Sequence, residues 1–189
     1  MAEVLKSEIK KLDFAIFDFD GTLMRLNVDW TEIRSDLGLV SVEEIWCHPE
    51  EQQCKEWEKI SFAELEAFGQ SETIFSTSAL LPDLNFGVLT NNCEQVVEDF
   101  LVSVGMNPNS VPIVGRNWLG TSKKNFERFK QAVEHLVSFH SSPKDFLNLN
   151  LGYLGDSTYE LDYALELGFK SYLVEQDGSL NRYRGIKHE

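Results

Sequence analysis

The chain has 189 residues, with 31 acidic against 17 basic side chains and a formal net charge of −14. An apolar content of 42%, with 12% aromatics, supports a buried core and excludes a disordered acidic tail. The length suits one domain, or one domain carrying an insertion. So few cations exclude a non-specific nucleic-acid binder, because little charge is left to neutralise phosphates. No apolar run approaches the ~18 residues of a membrane span, and residues 1–10 are charged, without a signal-peptide core. Cys47, Cys54 and Cys93 fit no zinc spacing and suit free thiols. The composition predicts a soluble, cytoplasmic protein with neither nucleic-acid nor membrane partners.

Taken in chain order, the first strand-like run is 12–17, which ends in Asp18-Phe19-Asp20-Gly21-Thr22. The stretch 25–80 differs from what surrounds it: it lacks strand-like runs and repeats helix starts. Asp29 precedes Trp30, Ile33 and Leu37, with Gly38 beyond. Ser41 with Glu44, and Ser61 with Glu64, both match the capping box, in which a hydroxyl and a carboxylate satisfy free backbone N–H groups reciprocally. Gly69 is placed to end the last helix. Strand-like runs then recur at 85–90, 111–114, 150–154 and 169–174. Between them, Val97, Phe100, Leu101 and Val104, then Phe126, Phe129, Val133, Leu136 and Val137, then Leu161, Ala164 and Leu165 fall at helical spacing. Strand followed by helix, repeated, predicts an α/β fold: a parallel, Rossmann-like sheet flanked by helices. Residues 1–24 and 81–189 are expected to form this core, and 25–80 a small all-α cap. The polar tail 177–189, with Arg182, Arg184 and Lys187, reads as a surface arm.

The chemistry concentrates where the first strand ends. Period-two alternation sends Asp18 and Asp20 to one side and Phe17 and Phe19 to the other. In open parallel sheets, ligands bind beyond the carboxyl ends of the strands, where this pair falls. Two carboxylates so close repel, and without a cation one takes up a proton. Three further segments matter. Phe86-Gly87-Val88-Leu89-Thr90 is followed by Asn91, Val114-Gly115-Arg116 precedes Lys123, and Tyr153-Leu154-Gly155-Asp156 closes a strand with Ser157 beyond.

These four segments resemble the motifs of the haloacid dehalogenase superfamily of aspartate-nucleophile hydrolases, phosphoglycolate phosphatase-like, and the resemblance covers nearly the whole chain. It implies a phosphatase acting on a small phosphorylated metabolite, with Asp18 as nucleophile and Asp20 as general acid and base. Thr90, Asn91 and Lys123 would bind the phosphate. Mg²⁺ would be held by Asp18, Asp20 and Asp156, Asp20 through its carbonyl. Lys124 stands where the family usually has proline, so Lys123 and Lys124 both remain candidates for the inward lysine, with Lys144 a remote third. Glu160 occupies the place of a frequent second acid, and Asp162 follows it; either could support the metal. A dehalogenase would typically lack an acid at position 20. A phosphomutase or phosphotransferase would share these residues, and a non-catalytic interaction protein on the same fold is the alternative of a different class.

Specificity is expected from the cap and the loop after Gly21. Arg25, just beyond Asp20, is the leading candidate to contact an anionic substrate. Arg34, Trp30, Trp46, His48 and Trp57 are further candidates, with Trp30 and Trp57 also reading as cap core and His48 as a loop residue. Relatives with a full cap carry a longer insertion, so this one reads as abbreviated, which would leave the site open or closed by a partner subunit. Cys93 lies near a helix start, where a thiolate is favoured, or else is a partly buried free thiol.

Overall fold

Alternation along the first strand organises the molecule. In this computed structural model, which describes residues 2–140 and 148–185, β1 (Phe14–Phe17) is buried at every position. Ala15 and Phe17 point to one face of the sheet and Phe14 and Ile16 to the other, so each face acquires its own core. On one face Ala15, Phe17, Val88 and Tyr172 pack with Ile9 of α1 (Ala2–Ile9) and with Val97, Phe100 and Leu101 of α5 (Glu94–Ser103). On the other, Ile16, Leu89 and Tyr153 meet Phe129, Val133 and Leu136 of α7 (Phe126–Ser138) and Leu161 and Ala164 of α8 (Thr158–Glu166).

The remaining strands are β4 (Phe86–Leu89), β5 (Ile113–Val114), β6 (Leu151–Gly155), β7 (Lys170–Val174) and β8 (Leu180–Tyr183), and the spatial order is β5-β4-β1-β6-β7-β8. The first five in that order run parallel, with Ile16 opposite Gly87 on one side and Tyr153 on the other. After β1 the chain builds outward through β4 and β5, then returns to the opposite flank for β6 and β7. The edge of β1 is therefore the topological switch point, where a crevice opens.

β8 corrects the reading of the tail as a surface arm. It pairs antiparallel with β7; Arg182 bridges to Glu8 at 2.8 Å, and Tyr183 donates to Asp162 at 2.9 Å. The strand is short and polar, and it covers an edge that would otherwise expose unpaired N–H and C=O groups. Lys187 and Lys144 lie outside the described residues.

Between β1 and β4, the chain leaves and re-enters through a two-residue ribbon, β2 (Met24–Arg25) against β3 (Glu72–Thr73), which the sequence reading did not anticipate. Beyond it stand α2 (Trp30–Leu37), a 3₁₀ turn (Val42–Cys47) and α3 (Glu50–Phe68); α4 (Phe75–Ser78) and α6 (Arg116–Leu119) are single turns elsewhere. Asp29 caps α2 by accepting from Thr31 and Glu32, and Gly38 closes it in the left-handed region. Ser41 and Glu44 form the expected capping box. Ser61 and Glu64 do not: both lie inside α3, which runs unbroken to Phe68 with Gly69 as its C-cap. Among the described residues, no helix is long and apolar enough to cross a membrane.

Candidate active site

Phe17 ends β1, and the chain turns over the sheet edge. Asp18 N–H donates to the Leu154 carbonyl at 2.9 Å, while its own carboxylate accepts from Phe19 N–H at 2.7 Å. The turn closes with Gly21 N–H on the Met24 carbonyl at 2.7 Å. Gly21 has φ +78°, and a Cβ there would lie 2.2 Å from Asp156 Oδ2. The bare glycine leaves room for the Asp156 carboxyl, which follows β6, beside the turn that carries Asp18.

Burial pushes the Asp18 carboxyl well above the ordinary carboxylate range; Lys123 pulls it back, and Glu160 and Asp156 push it further. Asp156, open to solvent at its tip, is also raised, first by partial burial and then by Glu160. Asp20 is half-buried and accepts from Leu26 N–H at 2.9 Å; burial, opposed by that hydrogen bond, raises it to about 6.

Lys123 lies in the loop before α7, 4% exposed, with Nζ 2.5 Å from Asp18 Oδ1 and 2.9 Å from Glu160 Oε1. Burial alone would depress its pKa; the two carboxylates outweigh it and hold the ammonium charged. Glu160 is fully enclosed. Besides Lys123 it accepts from the hydroxyls of Tyr153 and Tyr159, so its oxygens face the lysine and two phenols. Asp162 points to Tyr183 at the far edge of the sheet. Lys124 turns away from Asp18 and pairs with Glu43 on the cavity wall. Asn91 Oδ1 accepts from Lys123 N–H at 3.0 Å and so braces the loop that carries the lysine.

A buried network that sequence reasoning missed lies beside Thr90. The Thr90 hydroxyl donates to Asn92 Oδ1 at 2.7 Å, and Asn92 Nδ2 donates to Glu64 Oε1 at 2.9 Å. Glu64 also accepts from Cys93 N–H at 3.0 Å, and Arg116 grips both its oxygens, at 3.1 and 2.9 Å. Arg116 reaches Ser61 Oγ at 2.7 Å and lies over the Trp57 ring. Glu64 is 0% and Arg116 2% exposed. The hydroxyl and acid three residues apart that resembled a capping box instead mark the inward face of α3. Cys93 sits inside this network; burial, then the charge of Glu64, pushes its thiol up to about 11, which disfavours a thiolate.

These residues surround a cavity of about 510 Å³. Asp18, Asp20, Thr90, Asn91, Lys123 and Asp156 line one side, and Trp30, Arg34, Trp46 and Trp57 the other. Trp30 and Trp57, expected as cap core, therefore face the site. His48 pairs with Glu56 at 2.7 Å, away from it. Arg25 is not among the lining residues. On β2 its guanidinium is drawn to Glu72, at 3.6 Å, and to the Gln176 carbonyl, so the expected contact with substrate is not supported by its position.

The donors suit a hard cation. Among the described residues no three acidic, His or Cys side chains form a metal-holding group. Asp18 and Asp156 nevertheless offer neighbouring carboxylates that burial first, and then the charge of Glu160, raises, a cost that a cation would offset. Two carboxylates, a main-chain carbonyl and water match Mg²⁺, which keeps several waters.

No protein-family model and no curated protein sequence matches the chain. Solved structures do. A hydrolase from Pseudomonas syringae superimposes with a TM-score of 0.61 at 19% identity, over 85% of this chain and 83% of the other. A candidate phosphoglycolate phosphatase from Lactobacillus plantarum gives 0.59 at 14%, over 93% and 95%. An L-2-haloacid dehalogenase gives 0.51 at 16%, over 87% and 85%. The chain has the haloacid dehalogenase-like fold. Because phosphatase and dehalogenase descriptions both occur on this fold, chemistry has to be argued from the site.

Proposed function

We propose that the protein is a phosphomonoester hydrolase acting on a small phosphorylated metabolite, with Asp18 as nucleophile. The observation that carries this reading is Asp20, a carboxyl raised to about 6 and facing the same cavity as Asp18. A halide leaves without a proton, whereas an alkoxide needs one. A carboxyl able to hold its proton beside the nucleophile therefore favours cleavage of a phosphate ester over dehalogenation.

In the first step an Asp18 oxygen attacks phosphorus as the ester P–O bond breaks, and the leaving oxygen takes the proton from Asp20. In the second, water attacks the aspartyl-phosphate and gives its proton to Asp20, releasing phosphate and restoring the Asp18 carboxylate. Lys123, held charged, and the Thr90 hydroxyl stabilise the phosphoryl oxygens as charge redistributes. Thr90 can donate to substrate only by giving up its bond to Asn92, so the Glu64–Asn92 link sets the position of that hydroxyl. Glu160, with Tyr153 and Tyr159, fixes Lys123. Asp18 and Asp156, with the Asp20 carbonyl, would hold Mg²⁺, which when bound neutralises the carboxylates and the incoming phosphate.

The test is turnover of p-nitrophenyl phosphate with Mg²⁺, with EDTA, and in Asp18→Asn. Hydrolysis that needs the metal and is lost in the variant supports the assignment. Hydrolysis that persists in Asp18→Asn would remove Asp18 from the role.

A further inference from the structure

Among the described residues four cations line the cavity: Arg34, Arg116, Lys123 and Lys124. Three are matched by carboxylates: Arg116 by Glu64, Lys123 by Asp18 and Glu160, and Lys124 by Glu43. Arg34 is not. It is half-buried, and among the described residues its guanidinium reaches only the Thr31 hydroxyl, at 3.4 Å. In a chain of net charge −14, with six carboxylates around the same cavity, an arginine without a carboxylate partner stands out. A partly desolvated guanidinium without a counter-ion is unfavourable unless a ligand supplies one.

The helix that carries Arg34 has the same character. α2 buries none of its residues. Trp30 and Arg34, four apart, share one face of it, and both line the cavity. Trp57 is packed against Trp46 at 4.6 Å and lies under Arg116 at 4.7 Å, whereas Trp30 has no aromatic or cationic neighbour among the described residues. The inward face of α2 thus presents a flat apolar surface without an aromatic or cationic neighbour and a fork of donors without a carboxylate partner among the described residues.

We propose that Trp30 and Arg34 form the leaving-group subsite, and that the substrates are phosphomonoesters whose alcohol carries a flat skeleton and a second anionic group, carboxylate or phosphate. Arg34 binds the second anion and Trp30 stacks on the skeleton, while Asp18 and Lys123 face the reacting phosphate. This rests on the reading of Asp18 and Lys123 as the phosphoryl end of the cavity.

The experiment measures binding without turnover. Calorimetric titration with Mg²⁺ present compares benzylphosphonate, its para-carboxy derivative and its para-phosphonomethyl derivative in the wild type, Arg34→Gln and Arg34→Lys, each checked for folding by circular dichroism. In the wild type a second anion should tighten binding by about tenfold or more, and the tighter derivative identifies which anion is preferred. Arg34→Gln should bring the ratio to about one, and Arg34→Lys should keep part of it. Equal affinities in the wild type, a ratio that survives Arg34→Gln, or no binding of any phosphonate overturns the subsite. Failure of ester hydrolysis with this binding pattern intact would instead overturn the reaction and leave the subsite standing.

Discussion

The sheet and the helical insertion are held by opposite means. The sheet is sandwiched between two apolar layers, and Phe17, Phe19, Phe100 and Phe129 are fully enclosed. α2 buries no residue, and α3 buries Glu56, Ile60 and Glu64, two of them acids. Leu65 and Phe68 of α3 pack on the core only partly buried, and the fully buried tie to the sheet edge is charged: Glu64 on Arg116, Asn92 and Cys93 N–H. The difference teaches where each region does its work. Apolar burial is non-directional and makes a rigid platform. A buried ion pair specifies one geometry, here that of the loop bearing Thr90, and it fails abruptly when one partner is removed.

Two substitutions set these means against each other. Phe100→Ala deletes a ring packed edge-to-face on Phe19 at 5.5 Å and should cost about 3–5 kcal/mol in urea unfolding. Arg116→Met strands the Glu64 charge and should cost a similar amount, about 3–5 kcal/mol. Adding Glu64→Gln should recover part of the second loss, because a neutral amide oxygen still accepts from Asn92 or Cys93 while no charge is stranded. Nothing comparable would rescue Phe100→Ala. If Arg116→Met costs little, the polar tie is not what holds α3.

Smaller effects sharpen the contrast. Gly21→Ala forces a side chain into the left-handed region and onto Asp156, a strain of about 1–3 kcal/mol, and should weaken Mg²⁺ binding in titration. Iodoacetamide at about pH 8 should label Cys47 and Cys54, which are exposed, and spare Cys93. A thiol raised to about 11 stays protonated there, and labelling of Cys93 should rise only as the solution becomes strongly alkaline. Mass spectrometry of the labelled peptides reads this out. Phe62→Ser, on the outer face of α3 and 61% exposed, should shift stability by less than about 0.5 kcal/mol.

How much the sequence revealed follows the same division. The strands at β1, β4, β6 and β7 and the helices of the sheet were legible because apolar periodicity reports burial on a continuous core. β8 was not, since Leu180–Tyr183 is polar and takes its strand form from pairing with β7. Nor was β2–β3, a two-residue ribbon with no pattern to detect. Asp18, Asp20 and Asp156 stood out because carboxylates at strand ends are conspicuous. Choosing between Lys123 and Lys124 required the fold, which turns one to Asp18 and the other to Glu43. Glu64 was misread because a hydroxyl and an acid three residues apart serve equally as a cap and as neighbours on one helix face. Arg25 was favoured for its nearness in sequence to Asp20, but β2 carries it away from the cavity.

The central claim is that Asp18 receives the phosphoryl group. Rapid mixing of the protein with Mg²⁺ and p-nitrophenyl phosphate, followed by acid quench, proteolysis and mass spectrometry, tests it most directly. The account predicts a transient phosphoryl group on the peptide bearing Asp18, absent in Asp18→Asn and accumulating in Asp20→Asn, where water is not activated. A phosphoryl group on a different peptide, or steady hydrolysis with none on the protein at any time, would contradict it.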